Sequence, residues 1–314
     1  MNKRVKAIIH RRYGGYYFAL DETMVEIQCS LKGSLKKNES TTNLVVVGDR
    51  VQLEILEDGS GIIEEIYNRK SVLARAKGFK KSEDGKPARS GQILISNIDQ
   101  VFVVLPAREP DFHPLLLDRF LALVEYMELV PIILLNKWDL VSENQQSEYA
   151  RWIQIYEACG YKVLGLSIRT NMGMADLLPL LENKTSFLMG PSGAGKSSLV
   201  RKLNPELDIR IGKWSKKCKS GQQTTTSTQI YPLKDGSFLA DTAGFSQVFL
   251  KHIPKRHLRF CYPDFGDIEP CKYHDCVHDL EENCKIKEAV EKKQIDQERF
   301  ERYLKLLQEC DPDS

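Results

Sequence analysis

The chain has 314 residues, 42% hydrophobic and 28% charged, enough for about two domains and an enzyme-sized core, which excludes a peptide-like or disulfide-stapled scaffold and wholesale disorder. Its 45 Lys and Arg against 43 Asp and Glu leave a net charge of only +2, so affinity for a polyanion has to come from local blocks of charge. The longest apolar runs, such as Val101 to Leu105 and Pro131 to Leu135, fall far short of the roughly 20 residues that cross a bilayer, and the basic start MNKRVKAIIHRR has no apolar signal region behind it, so a cytoplasmic chain without a membrane partner is expected.

Five short segments open the chain: VKAIIH, YYFAL after Gly14-Gly15, MVEIQCSL, DRVQLEIL and GIIEEI. Short strands punctuated by turn residues predict a small five-stranded barrel. Tyr13, Tyr16, Tyr17 and Phe18 lie close to basic residues and can stack on bases, although aromatic residues in strands more often belong to a core. Residues 71–97, with Gly78, Gly85, Pro87 and Gly91 among basic side chains, read as a linker or loop.

From Gln100 the texture changes. VFVVLPA and PIILLN are buried-strand patterns, LLLDRFLALVEYM is helical between them, a helical stretch around Glu148 to Cys159 leads to the strand KVLGLS, and ADLLPLLE leads to the strand SFLMG and a helix starting near Lys196. Strands alternating with helices predict a parallel α/β sheet with crossover helices. The sheet pattern stops after Asp241, a cysteine cluster follows, and Lys285 to Glu309 reads as a polar helical tail.

Three basic blocks punctuate this order: Lys3 to Arg12, Arg69 to Arg89, and Arg201 to Lys219. They form an electrostatic footprint suited to nucleic acid, against the plainer reading of solvated loops.

The chemistry concentrates in four places. Gly190-Pro191-Ser192-Gly193-Ala194-Gly195-Lys196-Ser197, followed by Ser198, fits the phosphate-loop pattern and lies between a strand and a helix, as its mechanism requires. Its glycines let backbone N–H groups approach phosphates, Lys196 reaches the β and γ oxygens, and the Ser197 hydroxyl suits Mg²⁺. The four specified positions would coincide by accident in ~1% of chains this long. Asn136-Lys137-Trp138-Asp139 follows the strand PIILL, and a carboxylate there accepts both N1–H and N2–H₂ of guanine, a donor pair adenine does not present. Asp241-Thr-Ala-Gly244 follows the strand FLA; in a phosphate-loop enzyme such an Asp holds Mg²⁺ through water and such a Gly donates to the γ-phosphate. Between them Gly221 to Thr226 is a polar loop in which Thr225 is the candidate for a metal-bound hydroxyl.

The fourth place is the cysteine cluster. Cys271, Cys276, His278 and Cys284 make C-x4-C-x-H-x5-C, whose three thiolates and one imidazole suit a closed tetrahedral zinc site in a stretch too small and acidic to build an apolar core by itself. Cys261 and His274 are alternative ligands on spacing alone.

The guanine motif at 136 precedes the phosphate loop at 190, the reverse of the order in guanine-nucleotide switches, so the fold is expected to be circularly permuted. NKWD, GPSGAGKS, QQTTT, DTAGF and the cysteine spacing together resemble the permuted GTPases known as ribosome small subunit-dependent GTPase A, over essentially the whole chain. The resemblance implies an α/β phosphate-loop GTPase domain at 71–250, circularly permuted, behind an N-terminal all-β OB-type RNA-binding barrel at 1–70 and ahead of a zinc-binding α-helical domain at 251–314. It also implies Mg²⁺-dependent hydrolysis of GTP to GDP and phosphate, stimulation by the small (30S) ribosomal subunit and its rRNA, a role in late maturation of that subunit, and a monomer. It selects Cys271, Cys276, His278 and Cys284 as the zinc ligands and places Ser167 and Ile168 against the guanine. Catalytic roles fall to Lys196, Thr225, Gln223 and Gly244, and Mg²⁺ to Ser197, Thr225 and Asp241. One departure concerns hydrolysis: Gln223 stands where the family commonly has a histidine, and glutamine orients water without titrating.

Two other classes compete with this reading. One is a phosphate-loop kinase or ATPase, which Asn136 to Asp139 disfavours; the other is an RNA-binding zinc protein whose nucleotide is structural or regulatory. The segment after Asp241 runs into the cysteine-bearing tail with no intervening strand pattern, so loss of the γ-phosphate is expected to move that tail directly.

Overall fold

The computed structural model of the chain describes residues 3–13, 15–33, 35, 44–76, 80–81, 87–88, 91–205, 228–234, 236–241 and 248–311. In chain order come strands β1 (Lys3–Tyr13), β2 (Tyr16–Asp21), β3 (Glu26–Leu31), β4 (Arg50–Ile55), β5 (Gly61–Ile66), β6 (Val72–Ala76) and β7 (Gly91–Ser96). Then follow β8 (Gln100–Pro106), α1 (Pro114–Tyr126), β9 (Pro131–Asn136), α2 (Glu143–Ala158), β10 (Lys162–Gly165), α3 (Met174–Leu181), β11 (Thr185–Met189) and α4 (Lys196–Leu203). Strands β12 (Gln229–Pro232) and β13 (Phe238–Asp241) precede the helices α5 (Lys255–Leu258), α6 (Pro263–Gly266), α7 (Lys285–Glu291) and α8 (Gln297–Leu307). Among the described residues no helix is long and apolar enough to cross a membrane.

The described chain separates into two compact units, one of residues 1–99, 180–188 and 199–244, the other of 100–179, 189–198 and 245–314.

In the first unit β1 to β5 form the expected barrel, closed in the order β1-β2-β3-β5-β4. Strand β1 is long enough to serve two partners, pairing β4 through Lys3 to Ile8 and β2 through Ala7 to Tyr13. A register shift between Ile9 and Arg11 bends it from one partner to the next, as a bulge does. Alternation sends Ala7, Ile9, Ile27, Cys29, Val51, Leu53 and Ile63 inward. Gly61 lets β5 pass close over this core, since a Cβ there would stand 3.2 Å from Ile27 and 3.3 Å from Cys29 and push them outward.

Within 71–97 the segments 72–76 and 91–96 depart from the linker reading, because β6 and β7 pair antiparallel as a ribbon. The ribbon is tied to the barrel by the fully buried Asp49, which accepts from Ser96 Oγ at 2.6 Å, Arg69 Nε at 2.7 Å, Arg69 Nη2 at 2.8 Å and the Val46 amide at 2.9 Å. Four donors on one carboxylate satisfy a charge that burial would otherwise penalise. These partners lie up to 47 positions apart, and the Gly and Lys content of the segment concealed them. In the same unit β11 runs parallel to β13, with β12 antiparallel on the far side of β13. Asp241 is the last residue of β13 and so lies at the carboxyl end of that parallel pair.

In the second unit β8, β9 and β10 are parallel, with β9 in the middle. The register Pro106 to Asn136 and Leu135 to Gly165 brings their carboxyl ends to one edge, where ligands bind in open α/β sheets. Helix α1 begins with Pro114 at its first turn, and His113 Nδ1 accepts the Leu116 amide at 3.2 Å. It buries Leu117, Phe120, Leu121, Leu123 and Val124.

The C-terminal region differs from a polar tail. The stretch read as a tail holds two helices, α7 and α8, and α8 buries Arg299, Phe300, Arg302, Tyr303, Leu306 and Leu307, a three- and four-residue spacing that makes one face of a helix. With Tyr262 and Phe265 these rings form an aromatic cluster, the Phe265 and Tyr303 centroids being 4.9 Å apart and those of Tyr262 and Tyr303 5.0 Å. The stretch around the cysteines therefore has an apolar core, supplied by Tyr262 and Phe265 ahead of the cysteines and by Phe300 and Tyr303 of α8 behind them.

Candidate functional site: a phosphate loop beside a base pocket

At the carboxyl end of β11 the chain turns through Gly190, whose φ is +148° and where a Cβ would stand 2.0 Å from the Val104 carbonyl. Only glycine fits there. The loop that follows is partly exposed at Ser192, Gly193, Ser197 and Ser198, with Ala194 buried beneath. Lys196 folds back so that Nζ donates to the carbonyls of Gly190 at 2.7 Å and Pro191 at 2.9 Å, which holds the ammonium over the loop where phosphate oxygens would sit.

The guanine motif meets this loop directly. Asn136, 2% exposed at the end of β9, donates from Nδ2 to the Ala194 carbonyl at 2.8 Å. A Cβ on Gly195 would come within 2.2 Å of that same Nδ2, and within 3.5 Å of Ile168. Asn136 thus ties the end of β9 to the Gly190 to Ser198 loop, and Ile168 reaches the same place from the third strand end.

Lys137 takes the left-handed conformation with φ 61°, and its Nζ donates to the Glu109 carbonyl. Trp138 is held by a hydrogen bond from its amide to the Leu166 carbonyl at 3.0 Å, and its ring lies over Gly165, where a Cβ would be 3.1 Å away. Tyr149 packs edge-on against that indole at 5.5 Å. These contacts fix the backbone next to Asp139. Its Oδ1 accepts from Ser167 Oγ at 2.6 Å, and Ser167 is itself fully buried and accepts the Thr170 amide at 3.1 Å. The Ser167 hydrogen bond is the main cause holding the Asp139 carboxyl below the usual range, with Arg169 adding to it. The group is therefore an ionised acceptor at neutral pH. Arg169, which the sequence reading did not single out, donates Nε at 2.9 Å to Asp139 Oδ2 and brings Nη2 within 2.8 Å.

Gln223, Thr225 and Gly244, the Gly221 to Thr226 loop, Phe245 and the basic residues from Arg210 to Lys219 lie outside the described residues. Asp241 is described at the end of β13. The hydroxyl of Ser197 and the carboxylate of Asp241 are hard oxygen donors of the kind Mg²⁺ takes.

A second site lies in the C-terminal region. His278 Nδ1 stands 3.3 Å from Cys276 Sγ, 3.3 Å from Cys284 Sγ and 3.6 Å from Cys271 Sγ, while Cys284 Sγ is 3.8 Å from Cys271 Sγ and 3.9 Å from Cys276 Sγ. A tetrahedral zinc with bonds of ~2.3 Å to sulfur and ~2.0 Å to nitrogen has edges of ~3.8 Å between sulfurs and ~3.5 Å between sulfur and nitrogen. The four residues fit that ion and can hold a metal. Burial pushes the Cys276 thiol up to about 12 and raises Cys284, a cost that a bound cation reverses by drawing the thiolate form. Cys261 and His274 are not among the four; Cys261 Sγ points instead to the His257 carbonyl at 3.6 Å. The ligand loop is held by Arg259 Nη1 on the Cys276 carbonyl at 2.9 Å and by Glu281, which accepts the amides of Val277 at 2.6 Å and Asp279 at 2.8 Å.

Helix α1, which follows β8, is joined to this region by buried charge. Asp118 accepts from Arg302 Nε at 2.5 Å, Arg299 Nη1 at 2.7 Å and Tyr156 Oη at 2.9 Å, and Arg299 also donates to Asp264 at 3.0 and 3.1 Å. No motif in the sequence marked Asp118 or Arg299, and a lone Asp on an amphipathic helix carries no signal.

The RsgA GTPase family matches residues 66–251, and the RsgA N-terminal domain matches residues 6–63. A relative from Shouchella clausii (strain KSM-K16), named "Small ribosomal subunit biogenesis GTPase RsgA", is 35% identical over 305 residues, covering 97% of each chain. A relative of the same name from Thermotoga maritima is 33% identical over 310 residues, covering 98% of each. Among solved structures, YjeQ from Thermotoga maritima superposes with a TM-score of 0.79 at 30% identity and 98% coverage of both chains. YloQ, described as a circularly permuted GTPase, superposes with a TM-score of 0.77 at 29% identity, covering 98% of this chain and 95% of its own. With its phosphate loop placed after the guanine motif, a closed five-stranded barrel in front and a three-cysteine, one-histidine cluster behind, the chain belongs to the RsgA GTPase family, the circularly permuted GTPases.

Proposed function

We propose that this GTPase acts in biogenesis of the small ribosomal subunit, and that docking on the subunit and its rRNA stimulates hydrolysis of GTP to GDP and phosphate. The observation carrying the reading is that relatives bearing that role in their name align over 97% of both chains, with the base pocket braced onto the phosphate loop by Asn136. Asp139 and Ser167 select guanine, with Ile168, Lys137 and Trp138 shaping the pocket, and Gly190 to Ser198 cradle the phosphates. Water attacks the γ-phosphorus in line, the bond to the β–γ bridging oxygen breaks, and the charge that develops is met by Lys196, the loop amides and the Gly244 amide. Gln223 orients the water. Ser197, Thr225 and Asp241 would hold Mg²⁺, which when bound neutralises phosphate charge.

The cluster at Cys271, Cys276, His278 and Cys284 is assigned to one structural zinc, since all four positions are protein ligands. A barrel at 1–70, a GTPase domain at 71–250 and a zinc domain at 251–314 complete the reading, for a cytoplasmic monomer. The deciding experiment is GTP turnover by the full chain with and without purified small subunits at several salt concentrations. Turnover should rise on docking, and subunit affinity should fall steeply with salt as phosphate counterions are released. Equal turnover without subunits refutes the stimulated mechanism. Asp139→Asn tests the base: it should weaken GDP and favour xanthosine diphosphate, because the amide supplies the donor that xanthine's 2-oxo group needs.

A further inference from the structure

We propose that Arg169 is an internal competitor for the guanine base, a guanidinium that covers the recognition carboxylate until nucleotide displaces it. The proposal rests on the assignment of Asp139 to guanine. Guanine offers that carboxylate an N1–H and an N2–H held parallel by a planar N–C–N unit, and the arginine side chain offers Nε–H and Nη–H across the same kind of unit. In the structure both Arg169 donors converge on Asp139 Oδ2, at 2.9 and 2.8 Å.

The surroundings leave Oδ2 as the contested atom. Oδ1 is committed to the Ser167 hydroxyl at 2.6 Å, and the Thr170 amide, 3.1 Å from that hydroxyl oxygen, directs its proton toward Asp139. Lys137, next but one to Asp139 in the chain, does not compete, since its ammonium donates to the Glu109 carbonyl. The Arg169 side chain is 75% exposed and that of Asp139 12%. The guanidinium is therefore solvated and weakly held, whereas the carboxylate beneath it is largely covered while the pair is formed, an asymmetry that suits a group made to leave. Exposed ion pairs contribute little and are screened by salt, so displacement is cheap, yet it is charged to every binding event. A ligand that meets a binding-competent state populated at fraction f has its affinity reduced by f.

The test uses the full chain and a fluorescent N-methylanthraniloyl GDP probe, with wild type, Arg169→Ala and Asp139→Asn compared at low and high salt. Arg169→Ala should bind about two- to fivefold more tightly at low salt, the range expected for losing an exposed pair. The gain should appear in the association rate with dissociation unchanged, and it should shrink toward none near 1 M salt as the pair is screened. An affinity that is unchanged or lower in Arg169→Ala overturns the proposal. The control separates two failures. If Asp139→Asn weakens GDP while Arg169→Ala gives no gain, only the competitor is wrong; if Asp139→Asn leaves GDP binding untouched, the base site itself is misplaced and the competitor falls with it.

Discussion

The front barrel and the C-terminal region, residues 3–66 and 248–311, have similar lengths and close their cores by opposite means. The barrel closes its sheet on itself and fills the interior with Ile9, Val51, Leu53 and Ile63, all fully buried. The C-terminal region gathers donors for a metal and buries charge, with Arg299 at 1% exposure on the Asp118 carboxylate. The first solution depends on neighbouring strands; the second depends on partners as far as 184 positions apart. Local patterning is enough for one core, whereas the other needs long-range polar contacts, each costly when left unmade.

Metal removal should separate the two most sharply. Binding of structural zinc carries ~10 to 16 kcal/mol of apparent free energy in small zinc modules, so chelation or Cys276→Ser should melt residues 261–311. Hydrogen exchange read along the chain checks this: protection should vanish around α7 and α8 while β1 to β5 stay protected. Elemental analysis giving no metal in protein prepared without chelator would refute the zinc assignment.

Asp118→Ala should come next, at ~3 to 5 kcal/mol, the usual cost of leaving buried charges without their partner. The damage should appear in α8, since Arg299 and Arg302 both lose a hydrogen-bonded anion. Denaturant melts of the full chain measure the cost, and Asp118→Asn should recover part of it.

In the barrel, Leu53→Ala should cost ~2 to 5 kcal/mol through a cavity, since Leu53 is fully buried. Unlike the first two, this loss should not change with zinc content, and melts run with and without chelator would reveal any dependence.

Acid should produce the smallest and most graded difference. Burial lowers His252 and His257 from the ordinary 6.5, with Arg256 and Arg259 adding to the shift of His257. As pH falls below 6.5 the unfolded chain takes up these protons first, so the C-terminal region should begin to lose stability there. In the barrel Glu26 is pushed up by burial but pulled further down, to about 2, by hydrogen bonds from His10 and Arg11. Its contribution is complete above 4.5 and is lost only as pH falls toward 2. Melts monitored separately in each region between pH 7.5 and 3 should show the C-terminal region weakening first; the reverse order would contradict both assignments.

The barrel strands were legible because alternation and turn residues are local signals, and the phosphate loop and NKWD because their spacings are chemical requirements. The ribbon at 72–76 and 91–96 was concealed, since what orders it is the Asp49 cluster, a set of long-range contacts. Helix α8 looked polar because its buried face carries two arginines, whose anions come from α1 and α6. Arg169 had no signal, because a charged residue after a strand is ordinarily solvated.

By itself the sequence determined the five-stranded barrel, the alternating α/β segment, the permuted order of the motifs and the ligand types of the metal cluster, because periodicity, turn chemistry and motif spacing are properties of neighbouring residues. Tertiary structure alone decided that Asn136 braces Ala194, that Ser167 and Arg169 share the Asp139 carboxylate, and that Asp118 anchors the C-terminal helix. Each of those pairings joins residues brought together only when parallel strands end in register or helices pack, and a polar group chooses its partner by distance in space.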